Sequence, residues 1–179
     1  MNKKTYVKAM GLLAGSIIVF SLIAPLLAPN DPYHTDFMNI LSPPGGIYPF
    51  GTDQVGRCIL SRIMYGARVS LGMTFLLLSI IFVSGVTIGV VSGMKGGIVD
   101  SIIMRLADIV LAFPDIVLAI AIVGILGSSM KNTIIGLSLI WWTKYSRLTR
   151  IAVIKEKSST YVVAAKMAGA SNLNVVMKY

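Results

Sequence analysis

Two stretches of this sequence stay uncharged for at least the thickness of a lipid bilayer. Residues 9–28 form an uncharged run of twenty, and residues 69–94 form a run of twenty-six. An α-helix rises about 1.5 Å per residue, so twenty residues cross about 30 Å of hydrocarbon. Because an unpaired backbone amide costs several kcal/mol in hydrocarbon, such runs have to close their hydrogen bonds internally. These stretches therefore predict an all-α membrane protein.

Two further apolar runs extend the prediction to four transmembrane helices. The third run contains Pro114, which lacks a backbone donor and should kink the helix. The fourth run is short, so Lys144 and Arg147 would have to extend toward the interface. A cleaved signal peptide remains an alternative to a retained first span. The predicted segments are a cytoplasmic N-terminus (1–8), a first span (9–29), an external loop (30–68), a second span (69–94), a cytoplasmic turn (95–107), a third span (108–129), a fourth span (130–149) and a cytoplasmic segment (150–179).

The distribution of positive charge predicts the orientation of the chain. If the N-terminus is cytoplasmic, twelve of the sixteen Lys and Arg residues fall on the cytoplasmic side, where short loops retain such residues. The net charge of +9 does not indicate a nucleic-acid partner, because the basic residues lie beside apolar segments instead of on one solvated face. We therefore expect membrane lipid, and no nucleic acid, around this chain.

The second span carries glycines at intervals of four residues. Gly85, Gly89 and Gly93 fall on one helical face and leave bare backbone there. Another helix can approach such a face closely, so we predict a site of helix packing. The alternative is that membrane helices are rich in glycine without any specific packing role.

The third span contains two carboxylates near one face. Asp108 and Asp115 lie seven residues apart, and Arg105, three residues before Asp108, is available as a partner. An ionisable residue within a span is by default a functional candidate that faces the protein interior. Hydration of Asp115 at the inner interface is the alternative.

Residues 160–168 predict a short cytoplasmic helix of small residues. Tyr161, Val162, Ala165 and Met167 are spaced for burial, and Gly169 stands where a helix C-cap favours glycine. We expect this helix to lie against another surface.

The sequence lacks the groups that most enzymes need. It contains no G-x-x-x-x-G-K-S/T phosphate loop, and its single histidine and single cysteine are His34 and Cys58. These residues supply neither a nucleotide cradle nor the ligands of a metal site. An intramembrane hydrolase using Asp108 and Asp115 is the least favoured alternative, because two helical turns separate them. We expect no enzyme activity, no cofactor and no metal.

Short motifs then follow one another along almost the whole chain. They are Gly51-Thr52-Asp53, Gly56-Arg57, Ser61-Arg62, Tyr65-Gly66-Ala67-Arg68, Gly96-Gly97, Asp100, Met104-Arg105, Asp108, Phe113-Pro114, Tyr145, Arg147, Arg150, Tyr161-Val162, Ala164-Ala165 and Gly169-Ala170-Ser171. In this order the motifs resemble those of the inner-membrane permease subunits of ABC importers for dipeptides, oligopeptides and nickel.

The resemblance implies a partial version of a six-helix permease fold in the bacterial inner membrane. It implies a second permease subunit, ABC ATPase subunits and an external substrate-binding protein as partners, with ATP hydrolysis supplied by the ATPases. The residues that it assigns to ATPase docking are Tyr161, Ala164, Ala165, Gly169, Ala170 and Ser171. A non-transport membrane scaffold, or an inactive permease fragment, is the alternative.

Two departures from the family pattern bear on docking and on substrate. Val163 stands where the docking loop usually has Glu, and Cys58 stands where the external signature usually has Asp. Loops that lack this Glu resemble the nickel branch of the family, so we expect nickel or a metal chelate ahead of a peptide. Family members continue with two further spans, so we also expect a truncated product or a fragment.

Overall fold

In the computed structural model, which describes residues 3–169, every regular element is a helix. The elements are α1 (Lys3–Leu27), a short 3-10 helix (Phe37–Asn39), α2 (Ile59–Lys95), α3 (Gly97–Leu111), α4 (Asp115–Leu126), α5 (Met130–Lys157) and α6 (Thr160–Met167). Two isolated β-bridges lie between α1 and α2, one joining Gly45 to Tyr48 and the other joining Thr52 to Cys58. The predicted all-α class is confirmed for this part of the chain.

Two of the described helices, α1 and α2, are each long and apolar enough to cross a membrane. α3 and α4 amount to a third crossing if they are counted together across the 89° bend between them. Large apolar side chains are exposed along α1, α2 and α4, as lipid permits. α5 carries Lys144, Arg147 and Arg150 along its middle, so the predicted fourth crossing stays a prediction.

The chain divides into two compact units, Met1–Phe75 and Leu76–Tyr179. The first unit contains α1, the segment that follows it and the first part of α2. Asn30 joins this segment to α2, since its backbone N–H donates to Ser61 Oγ at 3.1 Å. Its side-chain amide donates to the carbonyl of Ile47 at 2.7 Å. The predicted external loop is thus an ordered segment tied to the first turn of α2.

The second unit is built around α5. This helix contacts α3, α4 and α6, and the later part of α2 lies against it. Ser129 caps its start by accepting a hydrogen bond from the backbone N–H of Asn132 at 3.1 Å. Gly136 allows α4 to approach, because a Cβ built there would lie 3.2 Å from Ile122 Cγ2. Apart from glycines, the buried residues of this unit, among those described, are Ile81, Ser92, Ala107, Ile140, Thr143, Ser146 and Val162.

Two helices extend beyond the spans predicted from the uncharged runs. α2 begins at Ile59 rather than at residue 69, and α5 continues to Lys157 rather than ending at 149. The uncharged runs mark where lipid can surround a helix, but polar residues continue the same helix on either side. The lengths of α2 and α5 are therefore not set by the thickness of the hydrocarbon alone.

The predicted third span, 108–129, is divided between two helices. α3 begins at Gly97, so the predicted turn at 95–107 is reduced to Gly96, which has a φ of +65°. α3 ends at Leu111 and α4 begins at Asp115. Pro114 takes the N-cap position of α4, where its missing N–H breaks no intrahelical bond. The proline produces a break between helices in place of a kink within one.

Candidate functional site

Three glycines of α2 lie on the face that packs against α5. We call Gly85, Gly89 and Gly93 the glycine seam. Cβ atoms built on them would lie 2.5, 2.6 and 2.8 Å from the Cβ atoms of Tyr145, Thr149 and Val153 respectively. Atoms of real side chains do not approach so closely, so only glycine permits this separation of the two helices. The seam fixes the position of α5 along α2.

A row of three ion pairs joins α5 to α3 and α4. The carboxylates follow one another along α3 and into the first residue of α4, and the cations follow in the reverse order along α5. The pairs of this charge ladder are Asp100–Arg150, Asp108–Arg147 and Asp115–Lys144. The reversed order means that α5 runs back along the α3–α4 pair.

The Asp100–Arg150 pair is the most shielded rung of the ladder. Arg150 Nε and Nη2 donate to the two carboxylate oxygens of Asp100, each at 2.5 Å, and Ser92 Oγ also donates to this carboxylate. The side chain of Arg150 is 29% exposed and that of Asp100 is 15% exposed. Bidentate Arg–carboxylate pairs combine charge with fixed geometry. This rung therefore clamps α5 to α3 and to the end of α2.

The other two ion pairs are more exposed, and each is held by one hydrogen bond. We call these two pairs the open rungs. Arg147 Nη2 donates to Asp108 Oδ1, and Lys144 Nζ donates to Asp115 Oδ2. Arg147 and Asp108 are 43% and 59% exposed, and Lys144 and Asp115 are 50% and 31% exposed. Asp108 thus pairs with Arg147 of the facing helix, and not with Arg105 of its own helix. Arg105 is itself exposed.

The ladder as a whole was not predicted from the sequence, although a signal was present. Lys144, Arg147 and Arg150 recur every three residues along one helix, which keeps neighbouring side chains within about one-sixth of a turn. The partners are 29, 39 and 50 residues apart in the sequence. Periodicity within a helix cannot reveal such pairs, but matching acidic and basic positions in reverse order on two helices would have done so.

α6 turns one face toward α5 and the other toward solvent. Val162 is fully buried and Ala165 is half-buried. The exposed face consists of Thr160, Val163, Ala164 and Met167. These positions lie on one side of a helix because they are three, four and seven residues after the first. The helix ends at Met167, and Gly169 follows with a φ of +89° and an N–H that donates to the carbonyl of Lys166 at 3.0 Å.

The predicted docking residues fall mainly on exposed positions of α6. Tyr161, Ala164 and Gly169 are exposed, Ala165 is half-buried, and Ala170 and Ser171 lie outside the described residues. Tyr161 and Met167 were expected to be buried but are exposed. An eight-residue helix that rests on one neighbour can cover only one of its faces. The other face of α6 is exposed among the described residues.

The connection between α5 and α6 is short and hydrogen-bonded. Ser159 Oγ donates to the carbonyl of Glu156 at 2.6 Å, and the Tyr161 hydroxyl donates to the Glu156 carboxylate. Lys157 Nζ donates to the carbonyl of Met94 at 2.9 Å and so joins the end of α5 to the end of α2. A displacement of α6 would therefore move α5 and the end of α2 with it.

Asp53 is the centre of the ordered segment before α2. Its carboxylate accepts the backbone N–H groups of Val55 and Arg57 at 3.0 Å, Arg57 Nε at 2.9 Å and Arg62 Nη1 at 3.0 Å. Desolvation alone would raise the pKa of Asp53. The N–H groups of Arg57 and Val55, together with the Arg57 guanidinium, outweigh desolvation and lower this pKa to about 2. Only the family resemblance had drawn attention to this residue.

The second unit contains two cavities whose linings bear on possible chemistry. An apolar groove of about 390 Å³ is lined by Ile80, Ser84, Ile88, Ile134, Ile135, Ser138, Leu139 and Trp142. A cavity of about 300 Å³ is lined by Met104, Arg147, Arg150 and Ile151. Neither lining pairs a nucleophile with a base. Among the described residues, no three His, Cys, Asp or Glu side chains form a group that could hold a metal ion. The contacts of this unit support the packing of α5 against its neighbours.

The later half of the chain matches a known protein family. Residues 85–179 match the family described as binding-protein-dependent transport system inner membrane component. The matched range contains the glycine seam, the charge ladder and α6.

Curated relatives are similar along nearly the whole chain. A dipeptide transport system permease protein of Haemophilus influenzae is 40% identical over 177 residues, which cover 93% of this chain and 60% of the relative. A di/tripeptide transport system permease protein of Pseudomonas aeruginosa is 42% identical over 175 residues, 93% and 57% of the two chains. A nickel transport system permease protein of Escherichia coli is 32% identical over 179 residues, 100% and 65%. The chain spans about three-fifths of the length of these relatives.

Proposed function

This chain belongs to the family of binding-protein-dependent transport system inner membrane components, and from that premise we propose that it is a permease subunit of an ATP-driven importer. In this proposal the chain lies in a bacterial inner membrane with its N-terminus in the cytoplasm, and it contributes part of the substrate passage. The charge distribution along the sequence supports this orientation.

The observation that carries the proposal is the exposed face of α6. The face contains the small side chain of Ala164 and no aromatic side chain, so it can enter a groove on another protein without a bulky obstacle. The sequence has no phosphate loop of its own, and an importer driven by ATP therefore needs a separate ATPase. We assign the α6 face, with Ala164 at its centre, to that contact.

A permease of this type requires further partners. We propose a second permease subunit beside this chain, a pair of ABC ATPases at α6 and an external binding protein that delivers the substrate. Because α6 is joined to α5 by a short hydrogen-bonded connection, closure of the ATPases would displace α5. This displacement would alternate the opening of the passage.

We propose short peptides as the substrate class. The relatives whose names refer to dipeptides or tripeptides are 40% and 42% identical to this chain, and the relative named for nickel is 32% identical. The comparisons therefore do not support the leaning toward nickel that Val163 suggested. A peptide substrate also needs no cluster of metal ligands along the passage.

The proposal is tested by copurification of the chain with its cognate ATPases from detergent-solubilised membranes. Ala164→Trp places a bulky ring on the exposed α6 face and should lower ATPase recovery at least about tenfold, since overpacking costs about 1–3 kcal/mol. Ala9→Trp is the matched control, because Ala9 is exposed on α1 and lies outside residues 85–179. Equal ATPase recovery with both variants would contradict docking through α6 and would favour a non-transport scaffold.

A further inference from the structure

We propose that the two open rungs of the charge ladder, Asp108–Arg147 and Asp115–Lys144, line the passage and hold the charged ends of a short peptide in transit. This inference rests on the proposed function and goes further, because it names the side chains that would meet the substrate. A free peptide carries an ammonium group at one end and a carboxylate at the other. A carboxylate and a cation of the ladder could each bind one of them.

The first step is that the open rungs cannot face lipid. All four side chains are at least 31% exposed, and Asp115 lies at the start of α4, whose other residues are apolar. A charged side chain at the centre of a bilayer is strongly unfavourable. Charges within spans therefore face water-filled cavities or other protein, and they mark substrate pathways.

The second step separates a water-filled passage from a protein interface. The packed core of a protein interface is depleted of charged residues. Covering an ion pair with another chain removes its water, and that loss can exceed the attraction between the two charges. Two adjacent ion pairs are therefore poorly suited to the core of an interface, whereas a passage keeps them hydrated until a substrate arrives.

The third step is that the open rungs have unused bonding capacity. The structure gives one hydrogen bond to each of these pairs, although a carboxylate can accept about four and a guanidinium can donate five. Asp100, in contrast, already accepts bonds from both Arg150 nitrogens and from Ser92. The ladder thus combines one closed rung, which is structural, with two open rungs that can bind another charged group.

The fourth step is the spacing between neighbouring rungs. Lys144 and Arg147 are three residues apart, which corresponds to about 4.5 Å along the axis of α5. An extended dipeptide is about 7 Å long, so its two charged ends can reach oppositely charged side chains of neighbouring rungs. A divalent metal ion fits this arrangement less well, because each rung contains a single carboxylate.

The experiment measures ATP-dependent uptake of labelled dialanine by vesicles that contain the assembled transporter and its binding protein. The test variant is the double substitution Asp115→Asn with Lys144→Gln, which removes both charges of one rung but keeps side-chain size and hydrogen bonding. We expect uptake to fall about tenfold, while the thermal midpoint of the complex changes little, because exposed ion pairs contribute little stability. Lys131→Gln is the matched control, since Lys131 is an exposed cation of α5 outside the ladder, and it should leave uptake unchanged.

Three outcomes would count against this inference. Uptake by the double variant at the level of the unchanged transporter would overturn it outright. Loss of the second permease subunit from the purified complex would also overturn it, because the rung would then be a contact between chains. If the unchanged transporter takes up no dialanine, the proposed function fails, and this inference fails with it.

Discussion

At the scale of single residues, the glycines of α2 show how far sequence periodicity reaches. The spacing of Gly85, Gly89 and Gly93 predicted a bare helical face. The structure identifies the occupant of that face as α5, whose approaching residues lie 60 positions later in the sequence, as Gly85 and Tyr145 show. A repeat within one helix reveals that something approaches closely, but the identity of the partner depends on long-range packing.

Gly89→Ala should destabilise the protein. A Cβ at this position would lie 2.6 Å from Thr149 Cβ and from the carbonyl oxygen of Ser146, so α5 would have to move away. We expect a loss of about 1–3 kcal/mol, measured as a lower thermal midpoint in detergent. Gly72→Ala is the control on the same helix, because nothing lies within 4 Å of its added Cβ, and it should stabilise by about 0.4–1 kcal/mol. Equal effects of the two variants would contradict the close α2–α5 packing.

Asp53 should make the order of the external loop dependent on pH. Its pKa is lowered from 3.8 to about 2 in the folded chain, so its stabilising contribution is fully present above about pH 4. The contribution is lost as the pH falls through about 2. Asp53→Asn should therefore loosen the loop near neutral pH and differ little from the unchanged protein at about pH 2.

Cys58 provides the measurement for Asp53, because it is the only cysteine and is 1% exposed. An uncharged dithiodipyridine reagent should label it faster in Asp53→Asn than in the unchanged protein at about pH 6. The ratio of the two rates should approach one at about pH 2. Asp31→Asn is the control, since Asp31 accepts a local bond from the backbone N–H of Tyr33 and should change the labelling rate little. A ratio that does not vary with pH would show that Asp53 does not hold the loop as a charged group.

At the scale of elements, the predicted helices exist but their ends differ from the prediction. The uncharged runs located the apolar parts of α1 and α2, and Pro114 located the interruption before α4. The end of α5 at Lys157 was not predicted, since a helix outside lipid is not marked by hydrophobicity. The charge ladder was also not predicted, because its three pairs form only when α5 folds back along α3 and α4.

The rungs of the ladder should differ in their contribution to stability. Arg150→Gln leaves the shielded carboxylate of Asp100 without its bidentate partner and should cost about 2 kcal/mol. Arg147→Gln removes an open pair and should cost less than about 1 kcal/mol. Thermal midpoints of the two variants in detergent test this order.

A second variant controls for misfolding at the shielded rung. Combining Asp100→Asn with Arg150→Gln removes both charges and should recover part of the stability lost in Arg150→Gln alone, because no unpaired charge remains. If Arg147→Gln proves as destabilising as Arg150→Gln, the distinction between closed and open rungs is wrong.

At the scale of the whole molecule, composition predicted a membrane protein, and the family match assigns it to transport system components. The orientation of the chain in the membrane was inferred from charge alone. The structure of a helix does not itself show which of its ends is cytoplasmic. The partner proposed for α6 could not be read from periodicity either, since its surface belongs to another chain.

The orientation predicts which positions an impermeant thiol reagent can reach in intact cells. In a Cys58→Ser background, Lys4→Cys and Lys166→Cys should be protected from external reagent and become labelled only after the cells are permeabilised. Lys131→Cys, at the start of α5, should be labelled in intact cells. External labelling of Lys4→Cys, or opposite behaviour of positions 4 and 166, would contradict the orientation.

The most direct test of the proposed function is energised transport that depends on α6. Vesicles containing the assembled transporter and its binding protein should accumulate labelled dialanine only when ATP is supplied to the ATPases. Ala164→Trp should abolish at least about nine-tenths of this uptake, whereas Ala9→Trp should retain it with equal amounts of each variant in the membrane. Uptake without ATP, or full ATP-dependent uptake by Ala164→Trp, would contradict the claim that this chain is a permease subunit driven through α6.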